Sequence, residues 1–195
     1  MRRIMMFNHV AADGSFTTPD GRLDWVVQEP AIDRSAVEGM PGGDTILFGR
    51  RTYDMFESYW PHALDDSTPA PHGRGSPENR AMAIWINDAA KLVFSRTRKT
   101  VPWAHSRLLG DFDPAEVAGL KREHGKDILI FGSGTIVSLL AQHGLIDEYH
   151  FVVSPLLLGG GRPLFGGLPR NVPLRLIEAR SYPSGNVSLR YAPGS

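Results

Sequence analysis

The segment that most limits the fold of this chain is DILIFGSGTIVSLL, residues 127–140. Residues 128–131 form a run without any polar side chain, which is typical of a strand covered on both faces in a parallel sheet. Apolar residues then recur at helical spacing, at Ile136, Leu139 and Leu140. The segment therefore predicts a buried strand that leads through a glycine turn directly into a helix.

The turn between this strand and this helix, Gly132-Ser133-Gly134-Thr135, allows two interpretations. A helix N-terminus has N–H groups without helical partners, and these suit a phosphate. Glycine also occurs between a strand and a helix because the turn needs a positive φ or close packing. The dinucleotide fingerprint G-x-G-x-x-G is incomplete, because Val137 takes the place of its third glycine. The turn by itself leaves both interpretations open.

Short buried strands alternate with helices through the first two thirds of the chain, and strands alone follow. The predicted strands cover residues 3–10, 45–48, 91–94, 128–131, 149–158, 174–177 and 187–191. The predicted helices are one that ends near Met40, residues 52–59 and 81–90, one opened by Asp113, and one after Thr135. The proline-rich segment 61–77 is predicted to be a surface loop. This order predicts a single α/β domain over residues 1–195, with an antiparallel C-terminal edge.

The composition indicates a globular protein and excludes several functions. A chain of 195 residues with 42% hydrophobic and 22% charged residues can bury one substantial core. Its formal net charge of +0 gives no general attraction to nucleic acid or to a membrane surface. The absence of cysteine excludes thiolate chemistry, and the histidines lack metal-ligand spacing. No apolar run has the length of a membrane span or of a signal peptide, so a cytoplasmic location is expected.

Three buried strands of this predicted sheet each end in a polar turn that suits a phosphate. The turns are Gly49-Arg50-Arg51-Thr52, Ser95-Arg96-Thr97 and Gly132-Ser133-Gly134-Thr135. In open parallel sheets, ligands bind outside the carboxyl ends of the strands. Three such turns on one edge therefore indicate a nucleotide site.

The chain resembles the dihydrofolate reductase-like superfamily, in particular the branch that shares a domain with the reductase half of the bacterial riboflavin biosynthesis protein. The resemblance is carried by Asp13-Gly14 after the first strand and by five segments in the family order. These segments are ILFGRRTYDMF, VFSRT, ILIFGSGTIVSLL, GLIDEYHFVVSPLLLGGGRPLF and VSLRYAP. The resemblance covers nearly the whole chain. It implies a mixed, mostly parallel sheet of about eight strands with flanking helices, NADPH as the hydride donor, and a homodimer.

The resemblance also implies contacts with the cofactor and the substrate. The pyrophosphate would be held by Gly132, Ser133, Gly134 and Thr135. Further phosphate contacts would come from Gly49, Arg50 and Thr52. The adenosine 2′-phosphate, which distinguishes NADPH from NADH, would be bound by Ser95 and Arg96, and Thr97 would contact the cofactor from the same turn. Trp25 stands where members of the family carry a tryptophan beside the substrate pocket.

The activity implied by the resemblance is NADPH-dependent reduction of a small pterin- or pyrimidine-like heterocycle. Related activities are those of dihydrofolate reductase and of 5-amino-6-(5-phosphoribosylamino)uracil reductase. This sequence departs from the riboflavin-pathway pattern, because Phe56 stands four residues after Thr52, where that pattern has Asp-Asn-Pro. A second hypothesis, favoured by the lack of a convincing proton donor in the sequence, is a nucleotide-binding protein that keeps the fold without catalysis.

Three carboxylates, Asp13, Asp24 and Glu57, are candidates for the proton donor of such a reduction. A carboxylic acid beside the hydride acceptor can be tuned toward neutral pH by burial. For Asp13 the alternative is structural, because aspartate in an Asp-Gly turn commonly accepts hydrogen bonds from its own backbone. Trp25 is either a packing residue or a wall of the pocket. The sequence does not decide between these interpretations.

Overall fold

The computed structural model describes residues 1–39, 42–65 and 76–194. The strands found within these ranges are β1 (Ile4–Ala11), β2 (Ser15–Thr17), β3 (Gly43–Gly49), β4 (Ala90–Phe94), β5 (Ser106–Leu108), β6 (Asp127–Phe131), β7 (Glu148–Ser154), β8 (Arg162–Pro163), β9 (Leu174–Ser181) and β10 (Val187–Pro193). The α-helices of the described residues are α1 (Pro30–Gly39), α2 (Arg50–Tyr59), α3 (Pro77–Asp88), α4 (Pro114–Leu120) and α5 (Gly134–Gln142). None of the helices in these ranges is long and apolar enough to cross a membrane.

Eight of the strands form one sheet in the order β5-β4-β3-β6-β1-β7-β10-β9, and β2 pairs with β8 separately. The first six strands of this order are parallel, and β10 and β9 are antiparallel to their neighbours. The predicted fold class is therefore confirmed: the chain has the α/β, dihydrofolate reductase-like fold with an antiparallel C-terminal edge. The carboxyl ends of the six parallel strands all lie at the same edge of the sheet.

The sheet separates two apolar cores. Successive residues of a strand point to opposite faces, so Leu47 of β3 packs on one side and Phe48 on the other. Leu47 belongs to the cluster that includes Val117 of α4 and Leu140 of α5. Phe48 belongs to the cluster on the other face, with side chains from α2 and α3. This arrangement fixes the strands that carry the candidate site.

Several predicted boundaries differ from the structure. The helix predicted at 81–90 begins at Pro77, because the hydroxyl of Ser76 accepts a hydrogen bond from the Asn79 N–H at 3.0 Å and proline suits the first turn. The predicted strand 149–158 ends at Ser154, and the three-residue strand β5 was not predicted. The predicted helix end at Met40 and residues 66–75 of the predicted loop lie outside the described residues.

Lys91, at the start of β4, is a wholly buried cation. Its ammonium donates hydrogen bonds to the carbonyls of Asn87, Ala89 and Ala104, at 2.9, 2.7 and 3.1 Å. It also lies 4.5 Å from the centre of the Trp103 ring. Burial lowers the pKa of Lys91 to about 8. This side chain ties the end of α3 to the segment before β5.

Candidate functional site

The three polar turns identified in the sequence follow three adjacent strands, β4, β3 and β6. In the register of the sheet, Gly49 at the end of β3 lies opposite Phe94, so the turn that begins at Ser95 is beside it. On the other side, β3 pairs with β6, which leads into the turn at Gly132. The sheet therefore brings all ten predicted cofactor contacts to one continuous edge.

Two of these turns are joined directly by hydrogen bonds. The Ser133 N–H donates to the Thr52 hydroxyl oxygen at 2.9 Å, and the Gly49 N–H donates to the Ser133 hydroxyl oxygen at 3.0 Å. The N–H of Gly49 is therefore already used within the protein, and it is not a free donor for a phosphate. Thr52 and Ser133 hold the two turns at a fixed separation.

The structure explains why Gly132 and Gly134 must be glycine, and the sequence could not distinguish this structural requirement from ligand binding. Gly132 has a φ of +53°, and a Cβ atom there would lie 3.1 Å from the Thr52 hydroxyl oxygen. A Cβ atom on Gly134 would lie 2.9 Å from the Phe16 ring and 3.1 Å from the Leu164 carbonyl oxygen. The space beside both glycines is thus filled by the protein itself. Close approach of a pyrophosphate is not needed to explain them.

The N-terminus of α5 keeps the property that makes the turn suitable for an anion. Ser133 occupies the N-cap position, but its side chain does not cap the helix, because its hydroxyl accepts from Gly49 instead. Its backbone is left-handed, with φ 55°, which is uncommon for a residue other than glycine. The first N–H groups of an α-helix have no partner within the helix. At α5 they lie at the edge where the three turns meet.

The arginines at this edge are held by weak, exposed ion pairs. Arg50 lies 3.0 Å from Asp54, and both side chains are about two-fifths exposed. The Arg96 side chain is 81% exposed and lies 3.4 Å from the carboxylate of Asp111. Such surface pairs contribute about 0–1 kcal/mol, so either guanidinium can turn toward an anionic ligand at little cost.

Ser95 shapes the turn that carries Arg96. Its buried hydroxyl oxygen accepts hydrogen bonds from the N–H groups of Thr97 and Arg98, at 3.2 and 3.0 Å. The hydroxyl of Ser95 is thus occupied by the backbone of its own turn, and this role is structural. Both of these bonds are accepted by the hydroxyl oxygen. The phosphate contact that the resemblance assigns to Ser95 would therefore have to be donated by its hydroxyl hydrogen.

Asp13 has the structural role that the sequence offered as the alternative to acid catalysis, because it accepts hydrogen bonds from backbone N–H groups. Its carboxylate accepts hydrogen bonds from the N–H groups of Ser15, Leu158 and Gly159, at 3.0, 2.9 and 3.1 Å. These bonds to backbone N–H groups lower the pKa of Asp13. A proton donor near neutral pH needs the opposite shift. This side chain ties the turn after β1 to the glycine segment after β7, and its assignment as the acid stays a prediction that these contacts disfavour.

The other two candidate acids, Asp24 and Glu57, are each paired with an arginine. Asp24 is exposed and lies 3.2 Å from Arg22. Glu57 accepts a hydrogen bond from Arg98 at 2.7 Å. Glu57 also lines a groove of about 470 Å³ together with Trp103, which precedes β5 and so lies toward the opposite edge of the sheet. Neither carboxylate lies within the three turns, although the Oε1 atom of Glu57 is buried without a hydrogen-bond partner among the described residues.

Trp25 lies in the segment that connects β2 to α1. Its indole nitrogen is buried without a hydrogen-bond partner among the described residues. The segment is fixed by wholly buried Asn186, whose side-chain N–H donates to the Val27 carbonyl at 2.9 Å. The amide oxygen of Asn186 accepts from the hydroxyl of Ser154, at the carboxyl end of β7, also at 2.9 Å. Trp25 is therefore carried by a segment anchored to the same edge of the sheet as the turns.

Sequence reasoning missed two residues that organise this edge, Arg98 and Asn186. Arg98 follows the predicted turn by one residue, and its guanidinium lies 4.8 Å from the centre of the Tyr53 ring besides its bond to Glu57. The signal that could have identified Arg98 is its place directly after the turn. Asn186 had no signal beyond its place in a hairpin turn. Among the described residues, no three His, Asp or Glu side chains converge as a metal site.

Comparison with known proteins gives four results. The profile of the RibD C-terminal domain matches residues 2–188. The uncharacterised Bacillus subtilis protein YyaP is 29% identical over 192 residues, which covers 97% of this chain and 94% of YyaP. Among solved structures, a putative riboflavin biosynthesis protein from Shewanella sp. PV-4 has a TM-score of 0.74 at 25% identity, with 99% of both chains covered. Dihydrofolate reductase from Enterococcus faecalis, complexed with NADP(H), is 11% identical, has a TM-score of 0.64 and covers 99% of this chain and 97% of its own.

Proposed function

The chain belongs to the family of the RibD C-terminal domain, and on that premise we propose that it is an NADPH-dependent reductase of a small heterocycle. The observation that carries the proposal is the alignment of three polar turns on the adjacent strands β4, β3 and β6. A reductase-type family and a dihydrofolate reductase-like fold support an oxidoreductase. The cofactor and the heterocycle are the proposed part.

The edge has the chemistry that a dinucleotide phosphate needs. The uncapped N-terminus of α5 offers N–H groups and the positive end of a helix dipole to the pyrophosphate. Arg50 supplies a cation on the neighbouring turn, and Arg96 supplies one at the outer strand of the three. A guanidinium pairs with a phosphate through two charge-assisted hydrogen bonds. Arg96 is therefore assigned to the adenosine 2′-phosphate, which favours NADPH over NADH.

NADPH, when bound, supplies the hydride, and the residues of this chain bind and orient the two reactants. Trp25 offers a buried indole N–H that lacks an acceptor among the described residues, so it is assigned to a polar atom of the substrate ring. Leaving such a donor unpaired costs about 1–3 kcal/mol, so a ligand that provides an acceptor gains that free energy. Because Asp13 accepts three backbone hydrogen bonds, which lower its pKa, we assign the source of the proton to water.

The alternative is a nucleotide-binding protein that keeps the fold without catalysis. The specific observation in its favour is the state of the three carboxylates. Asp13 has a lowered pKa, and both Asp24 and Glu57 are paired with arginines. Both functions share the cofactor site, so they are distinguished by turnover and not by binding.

The test combines cofactor titration with a turnover assay. The purified protein is titrated with NADPH and with NADH, and NADPH oxidation is then followed across a panel of pterins, pyrimidines and quinones. The proposal expects tighter binding of NADPH and turnover of at least one planar heterocycle. Binding without turnover of any compound supports the non-catalytic alternative, and absence of NADPH binding contradicts both.

Arg96→Ala is the matched variant for this titration. A charge-assisted contact contributes about 1.5–3 kcal/mol, so the variant is expected to bind NADPH about 10- to 100-fold more weakly and NADH almost unchanged. Arg122→Ala serves as a control, because Arg122 is an exposed arginine after α4, outside the three turns. Equal NADPH affinity in Arg96→Ala and the parent at low salt would remove Arg96 from the site.

A further inference from the structure

The central strand β1 is buried on one face and open on the other. On the face that carries Leu47, every second residue of β1 from Ile4 to Val10 is buried. On the opposite face, Phe7 and His9 are only half-buried. Because β1 lies between β6 and β7, this exposure comes from a gap between the elements that cover the open face.

Aromatic rings form the floor of this gap. The Phe7 ring lies 6.3 Å from the ring of Phe131 at the end of β6, and Phe131 stacks on Phe56 of α2 at 6.0 Å. His9 points to the same face as Phe7, because it is two residues further along β1. The centres of these two rings are 5.7 Å apart. His9 therefore lies on the face that α2 covers, at the carboxyl end of its strand.

The segment that carries Trp25 approaches the same floor from the side of β7. Ser154 lies two residues beyond the position of β7 opposite His9, so its side chain points to the same face. The Ser154 hydroxyl donates to Asn186, whose amide N–H groups hold the segment between β2 and α1. His9 is thus placed between α2 and the segment of Trp25.

The order of the strands puts the nicotinamide end of the proposed cofactor over β1. The adenosine 2′-phosphate is assigned to the turn after β4 and the pyrophosphate to the turn after β6, with β3 between them. A dinucleotide that continues in the same direction reaches β1 next, about 4.8 Å further along the edge. Phe7 pairs with Phe131, so His9 is level with Ser133 in the pyrophosphate turn.

We propose that His9 passes the proton to the substrate, an inference that rests on the proposed reduction by NADPH. The hydride adds its two electrons to the carbon of a C=N or C=O bond. The electron pair of that bond moves to the nitrogen or oxygen, which takes a proton from the His9 imidazolium. The products are NADP⁺ and the amine or alcohol, and the neutral imidazole regains its proton from water. Half-buried His9 is within reach of that water.

His150 is the other histidine of the floor, and it is held away from the edge. It lies opposite Phe7, two residues further from the carboxyl end than the position opposite His9. Its Nε2 atom is hydrogen-bonded to Glu148, which also accepts from Arg190. Burial lowers the pKa of His150. An acid that works near neutral pH needs an accessible imidazole, and His9 meets that condition.

The elements that cover this face bring further charged groups. Asp24, before α1, is exposed and paired with Arg22. Asp33 of α1 is half-buried. Glu57 of α2 accepts a hydrogen bond from Arg98. A carboxylate on either side favours the protonated form of a histidine between them.

An NMR comparison of the NADPH and NADP⁺ complexes tests the position of His9 without any turnover. The two cofactors have the same phosphates and differ by one positive charge on the nicotinamide ring. Beside His9 this charge disfavours the imidazolium, so its ring signals are expected to titrate about one pH unit lower with NADP⁺. His124 is exposed in the turn before β6, at the opposite edge, and its signals should titrate alike in both complexes.

Reduction of 7,8-dihydropterin and of 1,4-benzoquinone tests the proton transfer itself. Hydride addition to the C=N bond of the pterin leaves a strongly basic nitrogen that needs an acid as it forms. Hydride addition to the quinone leaves a phenolate, which is a weak base with a pKa of about 10, as in tyrosine. His9→Asn is expected to lower kcat about 10²-fold or more for the pterin, and only about three-fold for the quinone.

The pH profile and a control variant complete the kinetic test. In the parent, kcat for the pterin should fall as the pH rises through the titration of an imidazole, because the acid form is needed. His9→Asn should lose this dependence and keep the NADPH affinity of the parent. His124→Asn should match the parent with both probes. Circular dichroism of each variant recognises unfolding.

The possible failures are distinguishable. Absence of NADPH binding contradicts the proposed function itself. If NADPH binds but the His9 signals titrate alike in both complexes, His9 does not lie beside the nicotinamide and the inference is wrong. An equal loss of kcat for both probes in His9→Asn means that His9 positions the reactants instead of donating the proton. If neither probe is reduced, the NMR comparison still decides, because it needs no turnover.

Discussion

The hydrogen bond from the Ser133 N–H to the Thr52 hydroxyl provides a sharp test of how the site is built. Thr52→Val replaces that hydroxyl with a methyl group of nearly the same shape. In the parent, the Ser133 nitrogen lies 2.9 Å from the Thr52 hydroxyl oxygen. In the variant, the same N–H would face a methyl group. The turn has little room to shift in compensation, because Gly132 lies close to the same threonine.

The expected magnitude follows from the cost of an unpaired donor. Leaving a buried N–H without an acceptor costs about 1–3 kcal/mol, so the free energy of unfolding should fall by that amount. The turn that carries the N-terminus of α5 loses its tether, so NADPH affinity should fall about 10-fold, equivalent to about 1.4 kcal/mol. Thr52→Ser keeps the acceptor and should show both losses only weakly.

Urea denaturation and NADPH fluorescence titration measure the two effects on the same samples. If Thr52→Val has the stability and the NADPH affinity of the parent, the hydrogen bond between the two turns has no role in the site. A loss of stability without any loss of affinity would separate the turn from the cofactor. Either result would refute the reasoning that the turns act as one unit.

Three further perturbations test separate elements. Gly134→Ala forces a Cβ atom against the Phe16 ring at 2.9 Å, so thermal denaturation should show a loss of about 1–3 kcal/mol; an unchanged melting temperature would mean that the ring moves freely aside. Between pH 8 and 10.5 the unfolded chain holds a proton on Lys91 that the folded protein has released, so stability should rise by about 3 kcal/mol across that interval. Lys91→Met should abolish the rise in urea denaturation, and an identical pH dependence in the variant would exclude Lys91 as its source. Asp13→Asn should lower the melting temperature while kcat stays within about two-fold; a fall of kcat on the order of 10² would return Asp13 to acid catalysis.

The fold was predictable because its signals are local and agree with one another. The strand, turn and helix at residues 127–140 are found as β6 and α5, and the C-terminal hairpin is found as β9 and β10. The predicted ends of helices and strands were wrong where only one or two residues determine them. Ser76 and Pro77 begin α3 four residues before the apolar periodicity does. The short β5 has too few residues for a pattern.

The candidate site was predictable as a location but not as a set of contacts. Strand order at the edge follows from the fold, so the three turns meet as expected. Whether a hydroxyl or an N–H is free depends on tertiary neighbours, and the sequence does not contain that information locally. Gly49 and Asp13 are examples, because their partners, Ser133 and Gly159, lie more than 80 residues away in the chain. The direction of the Asp13 pKa shift therefore required the structure.

We expect NADPH to bind along the edge formed by the three turns, and this expectation is the most direct to test. Titration of the ¹⁵N-labelled protein with NADPH, followed by amide resonances, measures this directly. We expect the largest shifts at residues 49–52, 95–97 and 132–135, with the turn at 95–97 much less affected by NADH. Shifts concentrated elsewhere, or the same pattern at 95–97 with both cofactors, would contradict it.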